Sequence, residues 1–228
     1  TTVNLASLMV SLTHRLIPIW YPDEGILKFE HKNMVIGASH KDVFTNRKIA
    51  SKSFFHQSTM VVRRWAPGPS IWKEVNVKLF ENGGIQMTGI TCPDFARDVM
   101  EWIRTTLMAL PESPFKDTPQ IQRFSVQLIN TDYVLSLFIN QEALHKILIN
   151  EYNLFSMLEK TIYQGVNTKF FYNTNNGGSG ICRCAKFCKG QGTGDGEGQC
   201  KRITMSIFRT GRIIITGARK LSQIGRAH

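Results

Sequence analysis

The sequence lacks any long apolar run. No stretch approaches the ~18 consecutive apolar residues that a transmembrane helix needs. The first ten residues, TTVNLASLMV, have neither the charged region nor the small-residue cleavage site of a signal peptide. We therefore expect a soluble, intracellular protein without a membrane partner.

A catalytic constellation is also missing. The six histidines are scattered, and no pair of carboxylates keeps a spacing that suggests acid–base work. We therefore predict that the chain is not an enzyme and has no small-molecule substrate.

Acidic residues are few relative to basic ones. Asp and Glu number 17 against 28 Lys and Arg, which leaves a net charge of +11. An excess of this size favours an anionic partner such as nucleic acid, with a merely soluble basic domain as the alternative. The hydrophobic content of 42% is enough for a packed core.

Cysteine is sparse and unevenly placed. Four of the five cysteines fall in one C-x-C-x3-C-x11-C stretch, Cys182, Cys184, Cys188 and Cys200. This is not the disulfide framework of a secreted domain. Four thiolates fill a tetrahedral structural zinc site. Because the C-x-C pair is close and the loop is glycine-rich, free thiols or a disulfide remain alternatives.

A hairpin motif occurs twice. VKLFENGGIQMTGI (77–90) returns as MSIFRTGRIIITGA (205–218) without a gap, so that Phe80 corresponds to Phe208 and Thr88 to Thr216. Alternating apolar residues around glycine turns predict two antiparallel hairpins. Repetition of this kind indicates two similar halves.

The order of elements divides the chain into a first repeat (1–110), a proline-rich linker (111–119) and a second repeat (120–228) with a Cys/Gly-rich insertion (175–202). We predict strands at 3–12 and 122–130, helices at 40–51 and 141–150, and strands at 59–65 and 167–173. A further helix is predicted at 94–110. The chain stops where the matching second helix should start, so we expect a fragment or a truncated form. The fold class predicted is α+β, with one antiparallel sheet and helices on one face.

Each hairpin can be sorted into two faces, because side chains alternate along a strand. The predicted core set is Val75, Val77, Leu79, Ile85 and Met87 in the first copy, and Ile203, Met205, Ile207, Ile213 and Ile215 in the second. The opposite face carries Lys78, Phe80, Gln86 and Thr88, and then Thr204, Ser206, Phe208, Ile214 and Thr216. A phenylalanine at the same outward place in both copies indicates a contact surface, with covering loops as the alternative.

The motif F-x-x-G-x-[IV]-x-[MLV]-T-G-[AI], once in each repeat, resembles the TATA-box-binding protein (TBP) family. SIFRTGRIIITGARK is similar to that family's "IF-SGK-TGAK" hairpin, and EALHKIL and YQGV resemble its first helix and "FPGL" segment. The insertion is most similar to the TBP-like proteins of large cytoplasmic DNA viruses, of the African swine fever virus type. The resemblance implies a saddle of two pseudo-symmetric repeats, one curved antiparallel sheet with helices on its convex face.

The resemblance also implies a function. Proteins of this family bind promoter DNA in the minor groove, insert aromatic side chains between base steps and recruit a TFIIB-like factor and RNA polymerase. We accordingly expect AT-rich duplex DNA as a partner and viral transcription as the role. The expected location is the viral factories of the host cytoplasm or the virion, with the nucleus left open. The alternative is a degenerate relative that acts as a protein-interaction platform.

The resemblance implies wedge residues. Phe80 and Phe208 match directly, Phe55 is the second wedge of the first repeat with Phe54 as its alternative, and Tyr163 is that of the second with Phe155 as its alternative. Groove-facing positions are Thr88, Ile214 and Thr216, and Lys78 and Gln86 stand where the family has aliphatic residues.

Polar and basic contacts are implied as well. Asn4 and Asn130 are the candidates for the family's paired asparagines, although Leu128 is the direct match in the second repeat. Phosphate contacts are expected from Arg63, Arg64, Arg212, Arg219 and Lys220.

Overall fold

The chain folds into two compact units. The computed structural model describes residues 1–45, 56–186 and 188–225. Unit 1 is Thr1–Gln122 and unit 2 is Arg123–His228. The stretch expected to be a linker packs on unit 1: Val3 forms a β-bridge with Phe115, and the Asn4 N–H donates to the Pro114 carbonyl over 2.8 Å.

Unit 1 contains a five-stranded antiparallel sheet in the order β2-β1-β3-β4-β5. Its strands are β1 (Gly25–His31), β2 (Met34–Gly37), β3 (Gln57–Ala66), β4 (Ile71–Phe80) and β5 (Ile85–Thr88). Helices α1 (Leu5–Leu12), α2 (His40–Phe44) and α3 (Pro93–Met108) complete the unit. Helix α3 confirms the prediction at 94–110. Its Phe95, Val99, Ile103 and Leu107 recur at helical spacing and are buried against the sheet.

Residues 3–12 do not form the predicted strand. Leu5, Leu8, Met9 and Leu12 lie at helical spacing, and α1 buries all four in the core of unit 1. The Asn4 side chain caps this helix by accepting a hydrogen bond from the Ser7 N–H over 3.1 Å. The prediction failed because the cap was overlooked. The predicted helix at 40–51 is short, since α2 ends at Phe44 and residues 46–55 lie outside the described residues.

Unit 2 contains a second five-stranded antiparallel sheet, in the order β6-β10-β9-β8-β7. Its strands are β6 (Ile129–Val134), β7 (Phe155–Glu159), β8 (Tyr163–Tyr172), β9 (Lys201–Phe208) and β10 (Arg212–Ala218). Helix α4 (Gln141–Asn150) confirms the prediction there, and α5 (Leu221–Ile224) follows the last strand. The strand predicted at 122–130 starts later, at Ile129. It forms only where β10 supplies a pairing partner, from Ile129 opposite Ala218 to Val134 opposite Arg212.

Both predicted hairpins are confirmed. Gly83 and Gly211 each have a φ of +82°, a left-handed conformation that favours glycine, which explains why the repeat keeps glycine there. The α+β class is confirmed too. The described strands form two antiparallel sheets, one in each unit, where the sequence predicted one. No helix within residues 1–45, 56–186 and 188–225 is long and apolar enough to cross a bilayer.

Candidate nucleic-acid interface

The two faces of the second sheet differ as the alternation predicted. Ile203, Met205 and Ile215 are buried in the core of unit 2, with Ile213 packed against them. The opposite side of β8, β9 and β10 carries a different set, which we call the open face of unit 2. Its members are Tyr163, Gly165, Asn167, Lys169, Arg202, Thr204, Ser206, Phe208, Ile214 and Thr216.

An aromatic pair ends this open face. The ring centroids of Tyr163 and Phe208 lie 5.7 Å apart in an edge-to-face arrangement, and Tyr163 is 38% exposed. Gly165 lies opposite Phe208 in the strand pairing. A Cβ atom on Gly165 would come within 3.0 Å of the tyrosine ring and 3.3 Å of the phenylalanine ring. The glycine therefore leaves the space in which the two rings meet.

The alternative wedge, Phe155, lies elsewhere on the sheet. It is 59% exposed at the start of β7 and pairs with Lys169, four residues along β8 from Gly165. Tyr163, and not Phe155, therefore accompanies Phe208.

A polar row runs across the middle of the open face. The Asn167 amide donates to the Ser206 hydroxyl over 3.4 Å, and the Lys169 ammonium donates to the Thr204 hydroxyl over 3.0 Å. Thr216 lies opposite Thr204 on β10. Burial, together with the nearby charge of Arg202, lowers the pKa of Lys169. Sequence reasoning missed Asn167 and Lys169, although both share the odd-numbered face of Tyr163.

The first sheet presents a comparable set. On the side opposite its core, Phe80 lies opposite Gln57, and Lys78 lies between Thr59 and Gln86. Asn76 pairs with Thr88 in the next row. Phe80 and Lys78 are half-buried, whereas Gln86 and Thr88 are exposed. Phe54 and Phe55, the candidates for the second wedge, lie outside the described residues.

Part of this first face is closed by unit 1 itself. Lys28, 8% exposed, lies between the Glu30 carboxylate at 2.5 Å and the Asp42 carboxylate at 2.9 Å. Burial alone would raise the pKa of Asp42, but hydrogen bonds from Lys28 and Ser39 outweigh it and lower that pKa to about 2. One ion-paired cluster therefore holds α2 against this face.

Arg63 closes the neighbouring position. It is buried and donates to the carbonyl oxygens of Ile19 and Tyr21. Arg64 points to the helix side, where it pairs with Glu24 and with Asp98 at 2.7 Å and stacks 5.1 Å from the Trp102 ring. Both arginines are buried, at 5% and 8% exposed, with their guanidinium groups paired inside the protein, so neither is retained as a phosphate contact.

The remaining residues predicted to contact DNA are exposed, but Asn4 and Leu128 do not lie on strands. Arg212 is exposed and pairs with Asp132 at 2.6 Å, and Lys220 lies 3.7 Å from Asp195. Arg219 and Asn130 are also accessible. Asn4 is exposed but acts as the cap of α1 instead of lying on a strand, and Leu128 precedes β6 in a segment without regular structure.

The four clustered cysteines converge in the loop between β8 and β9. Their Sγ atoms all lie within 4.8 Å of one another, with Cys200 at 3.5 Å from Cys184 and 3.7 Å from Cys182. Sulfurs bound to one tetrahedral zinc ion at ~2.3 Å are about 3.8 Å apart. All the cysteines are free thiols, so no disulfide joins them within the described residues. The cluster could hold a metal ion.

Surrounding groups support such a site. The Gly198 N–H donates to Cys184 Sγ over 3.2 Å, and the Asn173 amide donates to Cys200 Sγ over 3.5 Å. Hydrogen bonds of this kind orient and stabilise metal-bound thiolates. Burial raises the pKa of Cys200 to about 12, and a cation would offset the cost of ionising it.

Comparison with known proteins adds one relationship. No family model matches the chain. A protein of Acanthamoeba polyphaga mimivirus described as "TATA-box-binding protein-like" is 27% identical over 207 residues. The match covers 81% of this chain and 48% of the mimivirus protein, so the chain spans about half the length of that relative. This similarity supports a TBP-like relative, and it is compatible with the two antiparallel sheets described above.

Proposed function

We propose that this protein is a TBP-like transcription factor that binds duplex DNA in the minor groove and wedges aromatic side chains between base steps. The observation that carries this proposal is the Tyr163–Phe208 ring pair at the end of the open face of unit 2. A partly exposed aromatic pair on a polar sheet face is suited to contact with another molecule. The two-repeat saddle implied by the sequence is part of the same proposal.

The wedge acts by replacing base–base stacking. An apolar ring that enters a base step unstacks it, and the kinked duplex then contacts more of the protein. Phe208 supplies an apolar ring, and Tyr163 supplies a second ring with a polar tip. Ile214 and Thr216 on β10 line the path along the groove next to this pair.

The first repeat contributes Phe80, Lys78, Gln86 and Thr88. Gln57 and Gly165 hold the same register place, opposite Phe80 and Phe208 respectively. Counting two residues back from each gives Phe55 and Tyr163, which supports Phe55 over Phe54 as the corresponding wedge.

Phosphate contacts are proposed for Arg212, Arg219 and Lys220, which are accessible on unit 2. Asn130, exposed on β6, remains the proposed asparagine contact of the second repeat. We propose a preference for AT-rich DNA, because the minor groove of A·T pairs presents only acceptor groups to donors such as these side chains.

The further role is transcription initiation. In this proposal the DNA-bound protein recruits a TFIIB-like factor and RNA polymerase, without catalytic activity of its own. We propose viral transcription as the setting, which the viral origin of the similar protein supports, and the viral factories of the host cytoplasm as the location.

We also propose zinc as the metal of the cysteine cluster. Four thiol sulfurs within 4.8 Å of one another suit zinc, and a site with four cysteine ligands is structural because it leaves no open position. Zinc would cross-link the loop between β8 and β9 and stabilise unit 2.

One observation favours a second candidate function. The face of unit 1 is partly closed by Lys28, Asp42 and Arg63, which reduces the surface that DNA would meet there. A protein-interaction platform with weak or non-specific DNA binding is compatible with that closure.

DNA binding by matched variants tests the proposal. Labelled AT-rich and GC-rich duplexes are titrated by fluorescence anisotropy across a salt series, with wild type beside Phe80→Ala/Phe208→Ala. Tyr152→Ala, which removes an exposed aromatic ring just after α4, is the control. We expect wild type and the control to prefer AT-rich DNA and the double variant to lose that preference. Binding that ignores both base composition and the phenylalanines would favour the platform.

A further inference from the structure

The cysteine cluster adjoins the open face of unit 2 directly. Strand β9 begins at Lys201, immediately after Cys200. Arg202 is exposed and lies on the same side of β9 as Thr204, Ser206 and Phe208, because alternate residues share a face. One residue therefore separates a metal-ligand candidate from a cation on the face proposed to bind DNA.

Two backbone hydrogen bonds join the loop to the start of β9. The Arg202 N–H donates to the Gly190 carbonyl over 2.7 Å, and the Gly192 N–H donates to the Cys200 carbonyl over 3.0 Å. Cys188 lies two residues before Gly190, and Cys200 two residues before Arg202. A metal ion bound by both cysteines would therefore clamp the two segments that these hydrogen bonds connect.

The loop also contacts the arginine side chain. Gly190 has a φ of +68°, and a Cβ atom placed on it would lie 2.5 Å from the Arg202 Cβ and 2.9 Å from the Phe171 ring. The loop backbone thus packs against the base of the Arg202 side chain and limits the directions open to its guanidinium group.

Without a metal ion, hydrogen bonds alone hold the loop, among them those from the Thr174 N–H to the Gly194 carbonyl and from the Gly194 N–H to the Gln199 carbonyl. Glycine occupies alternate positions from Gly190 to Gly198, and each ordered residue costs about 1–2 kcal/mol of backbone entropy. The backbone entropy that the segment gains by becoming disordered would then oppose the contacts between Gly190 and Arg202.

We propose that a metal ion in the cysteine cluster positions Arg202 as a phosphate contact. Arg202 lies at the end of the open face that is farther from the Tyr163–Phe208 pair. Lys169, which neighbours Thr204 on the same face, shares this cationic end. The inference rests on the proposed DNA binding and adds that metal occupancy sets its affinity through one named side chain.

The size of the effect follows from counterion release. One phosphate contact contributes about 0.9 to the slope of log affinity against log salt. A tenfold drop in salt concentration therefore strengthens binding roughly eightfold more when the contact is present than when it is lost.

The experiment compares the zinc-reconstituted and the chelator-treated protein, each binding one labelled AT-rich duplex across a salt series. Arg202→Gln removes the charge without touching a thiol. Lys186→Gln removes one exposed charge from the same loop away from β9 and is the matched control. We expect Arg202→Gln and chelation each to lower the salt slope by about one contact. Chelation of Arg202→Gln should then lower it no further, and Lys186→Gln should respond to chelation as wild type does.

Circular dichroism of each sample checks that the sheets persist after chelation. If chelation lowers the slope equally in wild type and Arg202→Gln, or in neither, the inference is wrong while DNA binding stands. If the chelated protein loses its sheet signal, Arg202→Gln with zinc bound still decides, since an unchanged slope there refutes the phosphate contact. Absence of binding by zinc-loaded wild type refutes the proposed function and this inference with it.

Discussion

Gly165→Ala is the most informative single substitution, because it alters the aromatic pair without removing either ring. The added Cβ would lie 3.0 Å from the Tyr163 ring and 3.3 Å from the Phe208 ring, closer than ordinary van der Waals contact. Tyr163 is exposed and Phe208 is half-buried, so both rings have room to move outward and we expect them to separate.

The stability of the variant should change little. Gly165 does not have a left-handed backbone conformation, so alanine fits its φ without strain. Alanine gains about 0.5–1 kcal/mol over glycine in a strand. An edge-to-face aromatic pair contributes about 0.5–1.5 kcal/mol, so the two effects nearly cancel. Urea unfolding should therefore give a free energy within about 1 kcal/mol of wild type.

DNA binding should change more. A ring that no longer stacks on a base loses about 1–3 kcal/mol, which is roughly 5- to 150-fold in affinity. Anisotropy measures the affinity, and energy transfer between dyes at the two duplex ends measures the bend. Tyr163→Phe, which keeps both rings, should bind and bend DNA as wild type does. A Gly165→Ala protein that is folded and bends DNA normally would refute the role of the paired rings.

Further predictions concern the two units separately. Phe208→Ala should lower DNA affinity more than Phe80→Ala in the same anisotropy assay, because the face of unit 1 is partly closed by its own residues; equal losses would contradict this. Arg64→Met should lower the free energy of unfolding by about 1–2 kcal/mol, since Glu24 is only partly buried and Asp98 is exposed, while the salt slope of DNA binding stays unchanged. The pKa of Asp42 falls from 3.8 in the unfolded chain to about 2 in the folded protein. Its ionised form therefore adds about 2 kcal/mol to the free energy of unfolding above pH ~4, and this contribution is lost as the pH falls through about 2. Asp42→Asn should remove this part of the acid sensitivity when unfolding is measured as a function of pH. Chelation should lower the melting temperature of unit 2 followed by circular dichroism, and Cys92→Ser, outside the cluster, should melt as wild type in both states.

The hairpins and, apart from Ile85, their two faces could be predicted because they depend on local patterns. Ile85 was assigned to the core but is 36% exposed. Alternation assigns Ile203, Met205 and Ile215 to the core and Phe208 to the other side, and the turn glycines need only their own backbone conformation. The convergence of the cysteines followed from their close spacing for the same reason. These features need no knowledge of distant residues.

What the sequence did not reveal depends on partners far along the chain. Arg63 donates hydrogen bonds to carbonyl groups about forty residues earlier in the chain. Arg64 donates to carboxylates on two separate segments. The helix at Leu5–Leu12 is the exception, because its Asn4 cap and the helical spacing of its apolar residues are local patterns that the predicted strand overlooked. Asn167 and Lys169 became visible only when strand pairing placed them beside Ser206 and Thr204.

The ion-paired cluster of Lys28 and Asp42 has a consequence for orientation. It makes the two repeats unequal, since one exposes its strand face and the other shields part of it. Under the proposed function, a duplex whose two ends were alike would still meet two different surfaces. The protein would then bind such a site in one orientation more often than in the other. The protein as well as the DNA would determine the direction of transcription.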